Sequence, residues 1–184
     1  MALADTFFSE GWTVLRCDLP FRQRRPQGPP PRGSAPHDQA GLGTAVAAMR
    51  RLGARRIVLG GHSYGGRQAF ILVAAEPTLV EGLLLLSYPL HPPKKPAARR
   101  TEHFPLLQVP ALFVHGMRDG FGTISEMQSA LSLIPTRTEL LPIPGAGHEL
   151  LTKSNREILI EAVMSSFKSG FANSLPYTPN DATR

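Results

Sequence analysis

The stretch from residue 56 to residue 77 constrains the fold more than any other part of the chain. Residues 56–60 read Arg-Ile-Val-Leu-Gly and are mostly apolar. Gly-His-Ser-Tyr-Gly-Gly follows at residues 61–66, and helix-forming residues continue until Pro77. This pattern predicts a strand at residues 56–60 and a helix at residues 67–76. The glycines between them predict a sharp turn with Ser63 at its tip.

The turn has the chemistry of an activated nucleophile. A serine hydroxyl attacks efficiently only when a base takes its proton, and a tight turn would present the Ser63 oxygen to such a base. Gly61 and Gly65 remove side chains that would collide there, and the helix start directs N–H groups towards a developing oxyanion. The alternative is a glycine-rich turn with a merely hydrogen-bonded serine; the strand before it and the helix after it favour the nucleophile.

The rest of the chain alternates between strand and helix patterns. Five strands are predicted, at residues 13–17, 56–60, 83–86, 111–114 and 138–143. Their alternation with helices predicts an α/β fold with a doubly wound, mostly parallel sheet of about five strands. Pro142 cannot donate to a ladder and therefore predicts that the last strand lies at an edge. We expect one domain at residues 1–169 and a flexible C-terminal tail at residues 170–184.

Helix boundaries are indicated by particular residues. Residues 2–10 and 38–52 carry apolar residues at helical spacing, and each segment is followed by a glycine. Two pairs, Thr123 with Glu126 and Ser154 with Glu157, have the spacing of capping boxes. These pairs predict the starts of the last two helices.

Cysteine content and hydropathy indicate the compartment. Cys17 is the only cysteine of the 184 residues, so no intrachain disulfide can form and a reducing compartment is favoured. Its place in an apolar strand predicts a buried, inert thiol. The apolar runs are far shorter than the ~20 residues of a spanning helix, and Met1 is not followed by a signal peptide pattern. We therefore expect a cytoplasmic protein without a membrane segment.

The net charge of +6 comes from clustered basic residues. Arginines or lysines are grouped at residues 22–32, 50–56 and 94–100, and residues 21–36 also form a proline-rich connector. A solvated basic surface explains these clusters. Aromatic residues do not alternate with them and no helix-turn-helix pattern is visible, so nucleic-acid binding is not favoured.

Two further residues complete a catalytic pattern. A serine nucleophile needs an imidazole to accept its proton and a carboxylate to orient that imidazole. Asp119 follows the strand at residues 111–114, and His148 follows the strand at residues 138–143. Loops at the carboxyl ends of parallel strands meet at one edge of the sheet. The order Ser63, Asp119, His148 is the order of α/β-hydrolases.

On these residues, the chain resembles the α/β-hydrolase superfamily, most closely its small, lidless, dienelactone-hydrolase-like or predicted-esterase branch. The resemblance rests on residues 61–66, 115–119 and 145–148 and covers about residues 1–168. It implies that Ser63 is the nucleophile, His148 the general base and then acid, and Asp119 the orienting acid. It also implies that the Tyr64 backbone N–H is an oxyanion donor. Serine stands where dienelactone hydrolases have cysteine, which favours ester hydrolysis without a cofactor.

The resemblance also implies a strand that is not visible in this sequence. It would precede the first helix, end in a His-Gly-type loop that supplies a second oxyanion donor, and lie between the strands at residues 13–17 and 56–60. Without it, either those two strands pair directly or a gap remains. We expect that Met1 is an incorrectly assigned or artificial start, so that the α/β-hydrolase fold lacks its N-terminal strands.

Other candidate residues are weaker. His62 is expected to point away from Ser63 and to pack or to bond the backbone, and His115 is expected to be structural. Asp18 is the second candidate for the carboxylate that orients the histidine, and Glu149 is expected to lie next to the site. The remaining histidines are expected in loops that lack glycines like those before His148; they are His37, His91 and His103. Paired cysteines and a His-Glu-x-x-His pattern are absent from the sequence, so no metal site is predicted.

The sequence therefore predicts a serine hydrolase that cleaves small carboxylic esters or thioesters through an acyl-enzyme. The alternative is a non-catalytic α/β-hydrolase-fold scaffold or interaction protein, favoured by the missing strand and the basic, proline-rich loops. A basic nucleic-acid binder is the third hypothesis. Lys94, Lys95, Arg99 and Arg100 are expected near the mouth of the site, which points to an anionic acyl group. The oligomeric state is left open.

Overall fold

A parallel sheet forms the centre of the computed structural model, which describes residues 2–152 and 154–175. Within these residues the sheet has four strands in the order in which they occur in the chain: β1 (Val58–His62), β2 (Gly82–Leu86), β3 (Ala111–Gly116) and β4 (Thr138–Ile143). The register places Gly60 opposite Leu84, Leu84 opposite Leu112, and Leu112 opposite Glu139. The parallel α/β architecture is confirmed. All four carboxyl ends lie at one edge.

Helices cover both faces of this sheet. They are α1 (Ala2–Ser9), α2 (Pro20–Arg24), α3 (Ala35–Arg51), α4 (Tyr64–Ala75), α5 (Ile124–Leu131) and α6 (Arg156–Ser166). One core cluster joins α3, α4 and α5 to the face that carries Leu83, Leu85 and Phe113. The other joins α1 and α6 to the face that carries Leu84 and Leu112. Alternate strand residues therefore supply two separate cores, as in a doubly wound sheet.

Several local predictions are confirmed and one is wrong. β4 is an edge strand, as its Pro142 predicted. Thr123 and Glu126 form a complete capping box at α5. The second predicted box does not form: the residue before α6 is Asn155, it makes no side-chain cap, and Ser154 Oγ lies 3.1 Å from Thr152 Oγ1. Local hydrogen bonding within residues 152–155 therefore replaces the expected cap.

The strand predicted at residues 13–17 is also wrong. Residues 12–19 have no regular secondary structure, and the side of β1 facing away from β2 has no strand partner among the described residues. Val14 and Leu15 are 37% and 49% exposed, and Cys17 is exposed rather than buried. An isolated extended segment gains no ladder hydrogen bonds, so its apolar residues do not suffice to make a strand. Residues 13–17 therefore do not pair directly with β1, and a gap remains on that side of β1 within the described residues.

The chain continues to pack against the sheet beyond α6. One turn of π-helix (Phe167–Phe171) is followed by a short 3₁₀ turn (Ala172–Ser174). Phe171 and Leu175 are buried, and a Cβ at Gly82 would lie 2.6 Å from Leu175 Cδ2. Only a glycine in β2 leaves room for this contact. The expected tail thus begins with residues that belong to the core; residues 176–184 lie outside the described part.

A search of the described helices found none that combines the length and the apolar composition needed to cross a lipid bilayer.

Candidate active site

Ser63 occupies the sharp turn between β1 and α4. Its φ of 51° and ψ of −119° lie outside the regions that non-glycine residues favour, a conformation that costs about 1–3 kcal/mol. The Ser63 N–H donates to the Leu86 carbonyl at 2.8 Å, which ties the turn to β2. A Cβ at Gly61 would lie 2.6 Å from the Gly66 nitrogen. Gly61 and Gly66 therefore permit the turn.

Gly65 has a different role from the one the sequence indicated. A Cβ at Gly65 would meet only Leu19 Cδ1, at an ordinary 3.8 Å. The close approach in the turn is instead between Gly61 and Gly66. The prediction that Gly65 relieves a collision is wrong, since the helix places that residue on an uncrowded side.

The structure brings together the three residues that the sequence singled out. Ser63 Oγ lies 2.7 Å from His148 Nε2. His148 Nδ1 lies 2.8 Å from Asp119 Oδ2. Because a carboxylate accepts at Nδ1, that nitrogen carries the hydrogen and Nε2 is free to accept from the serine hydroxyl. The three residues follow β1, β3 and β4, so the shared sheet edge creates their proximity.

Asp119 is held as a buried anion beside His148. Its side chain is fully buried, and its other oxygen, Oδ1, accepts the Phe121 N–H at 2.8 Å. Burial alone would raise the pKa of this carboxyl, but the hydrogen bonds from His148 and Phe121 outweigh burial and hold the pKa below its ordinary value. The carboxylate is therefore ionised at neutral pH.

Two neighbours fix the His148 ring and its loop. Phe121 stacks on the ring, with the centroids 4.1 Å apart. His62 Nε2 donates to the His148 carbonyl at 2.8 Å, which agrees with the backbone-bonding role expected for His62. Phe121 was missed in the sequence. The available signal was an aromatic residue two positions after the acid, where the turn that bonds Asp119 also carries the ring.

Tyr64 begins α4 directly after the serine. As the first helical residue, its N–H has no acceptor one turn earlier in the helix, which makes this N–H available to an oxyanion. Its hydroxyl donates to Asp38 Oδ2 at 2.8 Å, and Asp38 Oδ1 accepts the Phe21 N–H at 2.9 Å. Asp38 is fully buried in the first turn of α3. Sequence reasoning missed this carboxylate, which joins α2 and α3 to the turn at Ser63.

The weaker candidates lie elsewhere or have other partners. Asp18, Glu149 and His37 are exposed, and none of them replaces Asp119 at His148. His115 is fully buried and donates from Nε2 to the Gly122 carbonyl at 2.8 Å, and burial lowers its pKa. It is therefore a neutral, structural side chain. Among residues 2–152 and 154–175, no cluster of three or more acidic, histidine or cysteine side chains could bind a metal ion.

Sequence comparison identifies the family. The family model for the alpha/beta hydrolase domain matches residues 1–174 of this chain. The chain belongs to the α/β-hydrolase family. This α/β-hydrolase also shares its fold with solved structures that are less than 25% identical to it.

Three structures illustrate the shared fold of this α/β-hydrolase. A protein from Xanthomonas campestris pv. campestris, assigned to the alpha/beta hydrolase superfamily, is 23% identical, with a TM-score of 0.61 over 90% of this chain and 88% of that chain. Dienelactone hydrolase from Anabaena variabilis is 18% identical, with a TM-score of 0.57 over 77% of this chain and 62% of that chain. Monoacylglycerol lipase from Paleococcus ferrophilus is 12% identical, with a TM-score of 0.59 over 71% of this chain and 74% of that chain. The alignment thus spans 62% of the dienelactone hydrolase.

Proposed function

We propose that the protein is a serine hydrolase that cleaves small carboxylic esters or thioesters through an acyl-enzyme. One observation carries the proposal: continuous hydrogen bonding joins Ser63 Oγ to His148 at 2.7 Å and His148 to Asp119 at 2.8 Å. These distances lie within the range in which a base can take the nucleophile's proton. Family membership supports hydrolase chemistry in general.

Acylation uses each of these groups in turn. Ser63 Oγ attacks the substrate carbonyl carbon while its proton passes to His148 Nε2, and Asp119 stabilises the imidazolium that results. The carbonyl oxygen gains negative charge and accepts a hydrogen bond from the Tyr64 N–H. Collapse of the tetrahedral intermediate breaks the ester or thioester bond. The leaving alcohol or thiol takes the proton from His148 Nε2, and the acyl group remains on Ser63.

Deacylation repeats these steps with water. His148 Nε2 takes a proton from a water molecule, the resulting hydroxide equivalent attacks the acyl carbon, and Ser63 Oγ leaves with the proton that His148 returns. The products are a carboxylic acid and free enzyme. Both half-reactions use only the chain's own groups and water. The stacked Phe121 and the buried Asp119 keep the ring of His148 oriented for both transfers.

Hydrolysis of short-chain 4-nitrophenyl esters tests the mechanism. Ser63→Ala is expected to lower kcat by about 10³–10⁶-fold, because a triad without its nucleophile keeps only binding and oxyanion stabilisation. Ser154→Ala is the matched control, since Ser154 is exposed and, among the residues that the structure describes, its side chain bonds only Thr152. A fluorophosphonate probe should label the natural protein and not the Ser63 variant. Equal rates for the natural protein and Ser63→Ala would refute the mechanism.

A non-catalytic scaffold or interaction protein is the second candidate. It is supported by the side of β1 that has no strand partner among the described residues and by the exposed apolar residues Val14 and Leu15, since exposed apolar surface marks interaction sites. Failure of the fluorophosphonate probe to label Ser63 in a folded sample would favour this candidate over the hydrolase.

A further inference from the structure

Arg67 lies in the first turn of α4, which begins directly after the proposed nucleophile, and it has no ion-pair partner among the described residues. It follows Ser63 by four residues, about 6 Å along the helix axis, and its N–H donates to the Ser63 carbonyl at 3.0 Å. Its side-chain Nε is buried and has no hydrogen-bond partner among the described residues. A buried donor without an acceptor is unfavourable. A ligand that supplies an acceptor would remove that cost.

Arg100 is held by its own backbone beside Tyr88, whose ring centroid lies 5.9 Å from that of Phe70 on α4, the helix that carries Arg67. Its N–H donates to the Leu90 carbonyl at 2.8 Å, and its carbonyl accepts the hydroxyl of the buried Tyr88 at 3.0 Å. One guanidinium nitrogen, Nη1, donates to the Pro89 carbonyl at 3.3 Å. The loop that follows β2 is therefore pinned at Arg100, so the guanidinium is positioned before any ligand binds.

Ion pairing distinguishes these two arginines from Arg50. Neither forms an ion pair within the described residues, whereas Arg50 pairs with Glu81 at 2.6 Å. Burial and the nearby Arg67 charge lower the pKa of Arg100. The acid that acts on Arg100 from the same loop is Glu102, whose side chain is 76% exposed. Solvent screens that carboxylate strongly.

The two rings beside these arginines, His103 and Tyr88, are uncharged. Burial and the Arg67 charge lower the pKa of His103 to about 4, so His103 is neutral at pH 7. Its Nε2 lies 2.8 Å from the Tyr88 hydroxyl. Burial raises the pKa of Tyr88, which keeps the phenol neutral. Two arginines and two neutral polar rings thus form a half-buried region of net positive charge.

We propose that Arg67 and Arg100 form an anion subsite that binds a carboxylate on the acyl part of the substrate. The preferred substrates are then half-esters or half-thioesters of short dicarboxylic acids. The inference rests on the proposed hydrolase function. Guanidinium groups bind carboxylates through paired, charge-assisted hydrogen bonds. The acyl group is the part that stays bonded to Ser63, which directly precedes the helix that carries Arg67.

The test compares two methyl esters with acyl chains of equal carbon number, one anionic and one neutral. Hydrolysis of monomethyl glutarate and of methyl pentanoate is followed by acid release. The natural protein is expected to give the higher kcat/KM with monomethyl glutarate. In Arg67→Met the ratio of the two kcat/KM values should fall about tenfold to a hundredfold, as expected for the loss of a charge-assisted hydrogen bond.

Two more variants separate charge from geometry. Arg67→Lys should keep part of the preference for monomethyl glutarate. An ammonium group retains the positive charge but not the planar pair of N–H donors that a guanidinium offers to a carboxylate. Arg99→Met is the matched control: Arg99 is exposed and adjacent to Arg100 in the chain, and its loss should leave the ratio unchanged. A fall of equal size in Arg99→Met would mean that general surface charge, rather than this subsite, sets the preference, and would overturn the proposal.

A binding measurement covers the case in which Arg67→Met does not fold. Succinate should inhibit methyl pentanoate hydrolysis competitively, and Arg100→Met should weaken that inhibition about tenfold, the effect expected for one charge-assisted hydrogen bond. An active natural protein with equal kcat/KM for the two esters and no inhibition by succinate overturns the anion subsite alone. A natural protein that hydrolyses neither ester, nor any 4-nitrophenyl ester, overturns the hydrolase function itself.

Discussion

Residues 12–19 and strand β3 show two different outcomes for similar apolar patterns. The β3 residues Leu112, Phe113 and Val114 are fully buried between β2 and β4. Val14 and Leu15 are largely exposed, and no strand lies beside them in the described chain. Since both segments are rich in residues that favour strands, the difference lies in the neighbours. A strand on each side turns an apolar run into a core strand.

The same difference separates the two candidate acids. Asp119 follows the packed strand β3, and the sheet holds it against His148. Asp18 ends the unpaired segment and is exposed. An acid at the end of a strand becomes part of a site only when the sheet fixes the position of that strand's end. Matched residues of the two regions should therefore respond differently to substitution.

The largest effect is expected on catalysis. Asp119→Asn should lower kcat by about 10⁴-fold, because an amide no longer stabilises the imidazolium and favours the wrong tautomer of His148. Asp18→Asn should leave kcat unchanged. Initial rates of 4-nitrophenyl ester hydrolysis, measured beside the melting temperature of each variant, provide the check. A large loss in Asp18→Asn would mean that the exposed segment contributes to the site.

Stability should show the next largest difference. Leu112→Ala removes a fully buried side chain from β3 and should lower the free energy of unfolding by about 2–5 kcal/mol. Leu15→Ala should change it by less than about 0.5 kcal/mol, since half of that side chain is already in contact with water. Urea unfolding of both variants measures the two values. Similar losses in the two variants would show that residues 13–17 are packed in solution.

The pH dependence of stability should distinguish a packed histidine from an exposed one. The pKa of His103 in the folded protein is about 4, below the ordinary unfolded value of about 6.5. Between these values the unfolded state binds more protons, so the free energy of unfolding is highest above pH 6.5 and falls as the pH drops towards 4. The slope from this residue is at most about 1.4 kcal/mol per pH unit.

His103→Gln should therefore flatten the decrease between pH 6.5 and pH 4. The glutamine can still bond the Tyr88 hydroxyl, so the packing is largely kept. His37→Gln changes an exposed residue that lies in helix α3 rather than in the loop expected from the sequence, and it should leave the pH profile unchanged. Urea midpoints across this range give the comparison, and parallel profiles for His103→Gln and the natural protein would contradict the assigned pKa.

The smallest effect is expected from labelling Cys17. This thiol is exposed, so a disulfide reagent should modify it in the native protein without loss of ester hydrolysis. The measurement is the release of the coloured thiolate, with and without denaturant. Labelling that requires denaturant would mean that residues 13–17 are covered in solution, and the contrast between the two regions would no longer hold.

Much of the fold follows from local signals in the sequence. The uninterrupted leucines of residues 83–86 marked β2, Pro142 marked an edge strand, and Thr123 with Glu126 marked the start of α5. The segment 13–17 failed because strand formation depends on a partner, which no local pattern contains. Cys17 was assigned to a buried position for the same reason.

The site was partly predictable on the same grounds. Ser63, Asp119 and His148 could be identified because parallel strands end at one edge, so loops that are distant in sequence converge. Their hydrogen-bonded geometry was expected from that topology, and their catalytic roles remain predictions. Asp38 and Phe121 could not be identified from the sequence. The contact of Asp38 depends on how α3 packs against Tyr64, and that of Phe121 on how the turn after Asp119 folds over the His148 ring.

The order of the strands has a consequence for synthesis. Because β1 to β4 lie side by side in the order in which they are made, the serine emerges first from the ribosome and the histidine last. A nascent chain that ends before β4 would hold the proposed nucleophile and acid, Ser63 and Asp119, but not His148, the proposed proton acceptor. Ester turnover would therefore begin only when the final strand had docked, which makes activity a direct signal that the whole sheet is assembled.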